Sequence, residues 1–403
     1  MNKLKVKYKI IISIIVTVML VVLISIIYKD YRIRHAKVLI ALRTNLNIEV
    51  YDQVKLKDLI ISINGKLLKN PSINTSKLGK QTIEFEYINE ENIKVPYSFD
   101  INVVDTTPPI INQHKNIQVE EGDKYFYKEL FCGDNYDDNP KCLIEGEYDI
   151  NKIGEYQVTF KGIDSSNNKS EVPITLSVKK KTKKTSYNNL KYKLIGNNFE
   201  DIKKEYKTKK TKIGIDVSHW QEDINYKKVK NSGVEFAFIR LGIQKGINGE
   251  YKLDKKFKDN IEGFNKVNIP VGVYFFSYAN SKKEAKKQAN WVSKQLKKYD
   301  VDLEVAFDWE NWNNYQDFNI SFKHLNDVAN TFMSTIEDNG YNSMLYSSKD
   351  KLETIWSNNK YKVWLAHYTK KTSYEGEYKY WQICENGVID GIDNYVDINI
   401  MYK

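Results

Sequence analysis

The chain has 403 residues, with 62 lysines and arginines against 52 aspartates and glutamates, a formal charge of +10, and 41% hydrophobic residues. That length exceeds what one ordinary core encloses and predicts two to four domains. Three cysteines, Cys132, Cys142 and Cys384, form no C-x-x-C pair and have no partnered histidines nearby, so their spacing excludes a zinc site.

The first nine residues, "MNKLKVKYK", form a basic tail, and residues 10–28 are an apolar run relieved only by Ser13, Thr17 and Ser25. A helix needs roughly 17 to 25 apolar residues to cross a bilayer. The run has no A-x-A-like exit and continues into "SIIYKDYRIRHAK", which predicts an uncleaved anchor. Basic residues flank it on both sides, so orientation follows from function: a domain acting outside the cell requires a cytoplasmic amino terminus.

Residues 37–105 and 106–179 show short apolar/polar alternations, and they repeat. "KLGKQTIEFEY" at 77–87 recurs as "KIGEYQVTFKG" at 152–162, and "VPYSFDINVVD" from Val95 recurs as "VPITLSVKK" from Val172. Two copies of this pattern predict tandem β-sandwich modules acting as spacers. The second resembles the immunoglobulin-like modules of bacterial surface proteins, and the first is a degenerate copy. "DNYDD" lacks the glycine and distal glutamate of a calcium loop and reads as an acidic turn. Cys132 and Cys142 bracket it, either as a short disulfide or as a pair of buried thiols.

Residues 180–211 form a lysine-rich linker; Lys179 to Lys212 hold thirteen lysines against three acids. Without interleaved aromatics or a reading motif, nucleic acid is the weaker partner. The segment reads first as a solvated tether, with wall polyanions and lipid head groups the polyanions at hand for an exported chain.

From residue 212 to 403 the pattern alternates β and α. Candidate strands are "IGIDV", "EFAFIRL", "IPVGVYFF", "LEVAFD", "SMLYS", "KVWLAHY", "KYWQI" and "VDINI", with clear helices at "SKKEAKKQANWVSKQLKKY" and "SFKHLNDVANTFMSTIEDNG". Eight strands predict an irregular (β/α) TIM-like barrel. The competing doubly wound sheet would carry a glycine-rich loop after its first strand, and "DVSHWQ" has none.

In such barrels chemistry collects at the carboxyl ends of the strands. Asp216, Arg240, Tyr274 and Asp308 lie at or near strand ends, Glu310 follows in "AFDWENW", and Asp397 enters the last strand. Asp308 and Glu310 share a face if the chain stays extended through Trp309. Two close carboxylates do not both ionise freely, and splitting their proton affinities supplies an acid and a base for glycosidic cleavage. Trp220, Trp309, Trp312, Trp364 and Trp381 are candidates for stacking on sugar faces, each with core packing as its alternative. His219 reads as an orienting hydrogen-bond partner, Asp216 and Asp397 as acids or turn caps, and Arg240 as a rim cation or an ion-pair partner of one of the acids.

"GIDVSHWQEDINYKKVKNSGVEFAFIRLG", "VGVYFFSYANSKKEAKKQA", "VAFDWEN", "KVWLAHY" and "YWQICENGVIDGIDNYVDIN" together resemble glycoside hydrolase family 25, the Chalaropsis-type lysozymes. The resemblance spans 212–403. It implies an irregular β/α barrel that hydrolyses the β-1,4 bond from N-acetylmuramic acid to N-acetylglucosamine in peptidoglycan glycan strands, without metal or organic cofactor. It implies Glu310 as general acid, Asp216 and Asp308 as its acidic partners, and Asp397, Tyr274, Arg240, Trp309, Trp364, Gln382 and His219 as substrate contacts. Phe275 stands where many relatives have histidine. The expected protein is a single-pass membrane protein with its catalytic domain in the wall space. A non-catalytic glycan-binding protein and a glycosidase for another amino-sugar polymer stay open as alternatives.

Overall fold

The computed structural model describes residues 2–111, 115–126, 130–181, 195–357 and 360–403. The chain divides into two units, Met1–Thr106 and Thr107–Lys403.

The first unit begins with the helix Asn2–Arg34. Its stretch Tyr8–Arg34 is the one helix among the described residues long and apolar enough to cross a membrane, and none of it is buried. The anchor expected at 10–28 therefore lies within a longer helix. Beyond it, strands Asn47–Glu49, Lys94–Val104, Gly79–Asn89 and Gly65–Leu67 form a four-stranded sheet in that order, and Ile40–Leu42 pairs with Ile60–Ile63. The repeated sequence forms the long hairpin, whose inward residues Tyr87, Val95, Phe99, Ile101 and Val103 are buried.

The second unit opens with the same topology. Strands Asn116–Glu120, Lys169–Lys179, Gly154–Ile163 and Lys141–Glu145 make a four-stranded sheet, the first parallel to the second and the rest antiparallel, and Ile110–Ile111 pairs with Cys132–Gly133. Cys132 and Cys142 are joined by a disulfide, while Cys384 is a free buried thiol.

The remainder is a closed eight-stranded barrel: β1 (Thr211–Val217), β2 (Ala237–Gln244), β3 (Val271–Phe276), β4 (Val305–Asp308), β5 (Ser343–Ser348), β6 (Lys362–Ala366), β7 (Tyr380–Val388) and β8 (Val396–Tyr402). Neighbours from β1 to β7 are parallel. β8 runs antiparallel to both β7 and β1 and closes the ring. Helices α1 (Tyr226–Asn231), α2 (Phe257–Lys266), α3 (Lys282–Leu296), α4 (Phe322–Asp338) and α5 (Lys349–Thr354) fill the connections. Ser281 and Ser321 cap α3 and α4 by accepting from Glu284 and His324 backbone N–H groups.

Alternation sorts the strands' side chains into two cores. Phe238, Ala306, Met344, Tyr346, Trp364, Tyr380 and Met401 fill the barrel interior. Ile239, Val273, Phe275, Phe307, Leu345 and Leu365 face the helix layer. Phe238 stacks on Trp364 with centroids 4.5 Å apart, and Gly272 makes room for it: a Cβ there would stand 2.2 Å from the Phe238 ring.

Two expectations need correction. Residues 195–211 are not wholly linker: Asn197–Asn198 pairs with β7, and the helix Phe199–Tyr206 buries Phe199 and Ile202 in the barrel's outer core. Residues 182–194 of the lysine-rich stretch lie outside the described residues. The second β-module is not a free spacer, because its loop 130–138 is hydrogen-bonded to the start of α4.

Candidate active site

Strands β1 to β7 deliver their carboxyl ends to one rim, and β8, running the other way, delivers its first residues there. Asp397 and Asp216 are thus backbone partners across the β8–β1 pair. Asp308 is the last residue of β4 and pairs with Tyr346 of β5 on one side and Phe276 of β3 on the other. Beyond Asp308 the chain leaves the sheet, and Glu310 is exposed at the mouth. Glu310 lies close enough to Asp308 to be among the groups that raise its proton affinity. Trp309 points the opposite way.

The four acids act on one another. Asp216 is buried, which raises its pKa, but three donors oppose that shift: Asn399 Nδ2 at 2.7 Å and Gln382 Nε2 at 2.9 Å, both on Oδ2, and the carboxyl of Asp397. Asp397, desolvated and facing Asp216, is pushed up to about 10. Both carboxyls are thus raised, and the donors on Asp216 leave Asp397 the stronger holder of the proton between them. Asp308 is raised well above the carboxylate range, first by burial and then by Glu310, with the Arg240 guanidinium opposing. Its Oδ1 makes no hydrogen bond within the described protein. Glu310 is raised to about 7, chiefly by lost hydration and then by Asp216. Its open flank and this desolvation are compatible, because a carboxyl in a concave rim keeps some solvent contact while most of its hydration shell is replaced by protein.

Tyrosines complete the wall. Tyr274 is half-buried, and burial first, then the negative charge of nearby Asp216, with Arg240 opposing, keeps its hydroxyl neutral. Tyr346 and Tyr368 donate to Gln382 Oε1 at 2.9 and 3.0 Å. Both amide ends of buried Gln382 are therefore committed, and its expected role as a substrate contact gives way to holding Asp216 in place. Trp364 is likewise corrected. It is 1% exposed, and its Nε1 donates to Asn399 Oδ1 at 2.7 Å, so it orients the amide that bonds Asp216 and offers no face to a sugar.

Trp309 is fully buried in the helix layer, its Nε1 donating to Ala279 O at 3.1 Å. Trp381 is also buried, with Nε1 on His367 O. Of the five tryptophans expected at the rim, Trp220 is the exposed one, at 68%, stacked 4.5 Å from His219. Phe275 faces Trp291 and Phe332 in the helix layer, so the difference from histidine there does not reach the cleft wall.

Arg240 forms its ion pair with Asp254, through Nε at 2.9 Å and Nη2 at 2.8 Å, not with one of the four rim acids. His219 Nδ1 meets the same Asp254 Oδ2 at 3.0 Å. Asp254 lies on the excursion after β2, where no strand-end pattern pointed to it. Tyr346, Tyr368 and Asn399 were also missed; the two tyrosines sit at or beside the carboxyl end of a candidate strand, where the strand-end rule applied beyond acids would have found them, while Asn399 lies inside β8, two residues from Asp397 on the same face.

Residues 215–392 match the family model described as Glycosyl hydrolases family 25. YegX of Escherichia coli (strain K12), an uncharacterised protein, is 27% identical over 46% of this chain and 68% of its own length. Lysozyme M1 of Streptomyces globisporus is 41% identical over 17% of this chain and 21% of its own. The autolytic lysozyme of Clostridium acetobutylicum is 22% identical over 46% of this chain and 54% of its own. Over residues 215–392 the chain is thus similar to family 25 glycosyl hydrolases, and that match together with the two lysozyme relatives supports a glycoside hydrolase with muramidase activity.

Proposed function

We propose that this chain is a membrane-anchored hydrolase that cleaves the β-1,4 bond between N-acetylmuramic acid and N-acetylglucosamine, with Glu310 as the general acid. The observation that carries this reading is a ring of four interacting carboxyls in which the most solvent-open member, Glu310, is held near pH 7. A proton donor works best with a pKa near the working pH. Glu310 gives its proton to the leaving sugar oxygen as that bond breaks. The ring left behind gains positive charge, and Asp216, anionic and held by Gln382, Asn399 and Asp397, faces that charge or the substrate's acetamido group. Of the two acidic partners expected beside Glu310, Asp216 supplies the counter-charge. Asp308, neutral and with a free buried Oδ1, is available to hydrogen-bond the substrate.

Glu310→Gln keeps shape and loses the proton, so turnover of purified peptidoglycan falls about 10²–10⁴-fold with the fold intact. Retained turnover removes Glu310 from this role. Mass spectrometry of digested wall is expected to show muramic-acid-ended fragments. Chitin oligomers released in preference would transfer the assignment to another polymer.

The anchor reading rests on the exposed apolar helix Tyr8–Arg34, and it places the barrel in the wall space. The two β-modules are read as immunoglobulin-like because both repeat one two-sheet topology, and the barrel as TIM-like because seven of its strands run parallel with helices between them. The lysine-rich stretch 180–194 is read as a contact for wall polyanions.

A further inference from the structure

Phe131 and Cys132 are adjacent in the second β-module, yet their side chains enter different cores. Cys132 is fully buried in the module's own core and bonded to Cys142. Phe131, 7% exposed, lies in the outer core of the barrel. Its ring stacks on Phe322 at 6.0 Å and meets Tyr315 at 5.3 Å and Trp312 at 6.0 Å edge-on. Lys351 Nζ covers it at 4.5 Å. The approach is close enough that a Cβ on Gly133 would fall 2.6 Å from the rings of Phe322 and Tyr315. Polar contacts lock the loop: Phe322 N donates to Asp134 O at 2.7 Å, Ser321 N to Asp138 Oδ1 at 2.7 Å, and Gln316 Nε2 to Leu130 O at 2.7 Å, while His324 Nδ1 meets Asp138 Oδ1 at 2.6 Å.

The barrel residues so held belong to the segment that leaves the catalytic rim. Two residues after Glu310 the chain enters a 3-10 stretch, Trp312–Phe318, broken by non-helical angles at Asn314 and ended by left-handed Asn319. Such short 3-10 turns have poor hydrogen-bond geometry of their own, so side-chain packing must fix this one. Trp312 bridges the two sides, standing 4.8 Å from Trp309, which precedes Glu310.

We propose that Phe131 is a positioning residue for Glu310: the β-module braces the Trp309–Phe318 segment through this ring and the Gln316–Leu130 bond beside it, and so completes the catalytic rim. The proposal rests on Glu310 as proton donor. Its test uses the full chain in detergent, with kcat and KM measured on solubilised peptidoglycan strands. Phe131→Ala is expected to lower kcat about tenfold, since displacements below an ångström already misalign reacting groups, with KM within twofold. Phe131→Leu refills the niche and recovers most of kcat. Ile153→Ser, at an exposed site on the same module, behaves as wild type. A Phe131→Ala enzyme with wild-type kcat overturns the proposal, as does a loss confined to KM. If Phe131→Ala does not fold, Gln316→Ala, which cuts the bond to Leu130, carries the same expectation at about threefold, and unchanged kcat there overturns it. Glu310→Gln run in parallel separates the two failures: an active Glu310→Gln removes the acid assignment itself, whereas an inactive one beside a normal Phe131→Ala overturns only the brace.

Discussion

Replacing Gln382 by methionine tests whether Asp216 works as an anion. The substitution nearly conserves volume and removes both amide ends, so Asp216 Oδ2 loses the 2.9 Å bond and keeps Asn399 at 2.7 Å, while Tyr346 and Tyr368 lose their common acceptor. A hydrogen bond to a charged group is worth about 1.5–3 kcal/mol. At 1.36 kcal/mol per unit, that raises the Asp216 pKa by about 1–2 units. The sign follows from which form the bond favours. Gln382 donates to the carboxylate, so its loss favours the protonated acid, and the acidic limb of kcat/KM moves to higher pH by that amount. Leaving the Tyr346 hydroxyl buried without its acceptor also costs about 1–3 kcal/mol of stability, or roughly 2–4 °C in Tm per kcal/mol for a domain of this size. Initial rates of wall clearing across the acid range, beside thermal melts, read both effects. Asn399→Leu removes the other donor from the same oxygen and should shift the limb in the same direction. A lowered Tm with an unmoved acidic limb in both variants would refute the assignment of Asp216 as the working anion.

Glu310 must be protonated to act, so kcat is expected to fall as pH rises through about 7, and a profile flat to well above that point contradicts the role. The same shift predicts a stability signature. The folded state holds the Glu310 proton more tightly than the unfolded chain, so the associated stability is present below the ordinary glutamate range and lost as pH rises through about 7. Glu310→Gln should therefore raise Tm above neutrality and leave it unchanged in acid. Trp309→Ala empties a fully buried site and should cost about 3–5 kcal/mol with KM unaltered in the remaining folded enzyme. Trp220→Ala, at an exposed ring, should raise KM and spare Tm. The opposite pattern in melts and kinetics would exchange their roles.

What was legible in the sequence, and what was not, divides along the range of the forces involved. The eight barrel strands stand out as short apolar runs because both faces of a parallel barrel strand are buried, one by the interior core and one by helices. The acids stand out because an ionisable residue ending such a run has few structural reasons to be there. Period-2 alternation then places Asp308 inward and Trp309 outward, and applied strictly it assigns Trp309 to the helix layer from sequence alone. Its composition beside two acids had argued instead for a sugar platform. Gln382 and Asn399 could not be separated from substrate contacts in this way, since an inward amide looks the same in sequence whether it meets a ligand or another side chain. Only their convergence on one oxygen of Asp216, from β7 and β8, distinguishes them. The brace at Phe131 was less visible still: an apolar residue beside a cysteine in a β-module reads as that module's core. Two adjacent side chains entering different cores require the surface between the module and the barrel to exist first, and that surface is a property of the folded pair rather than of either pattern.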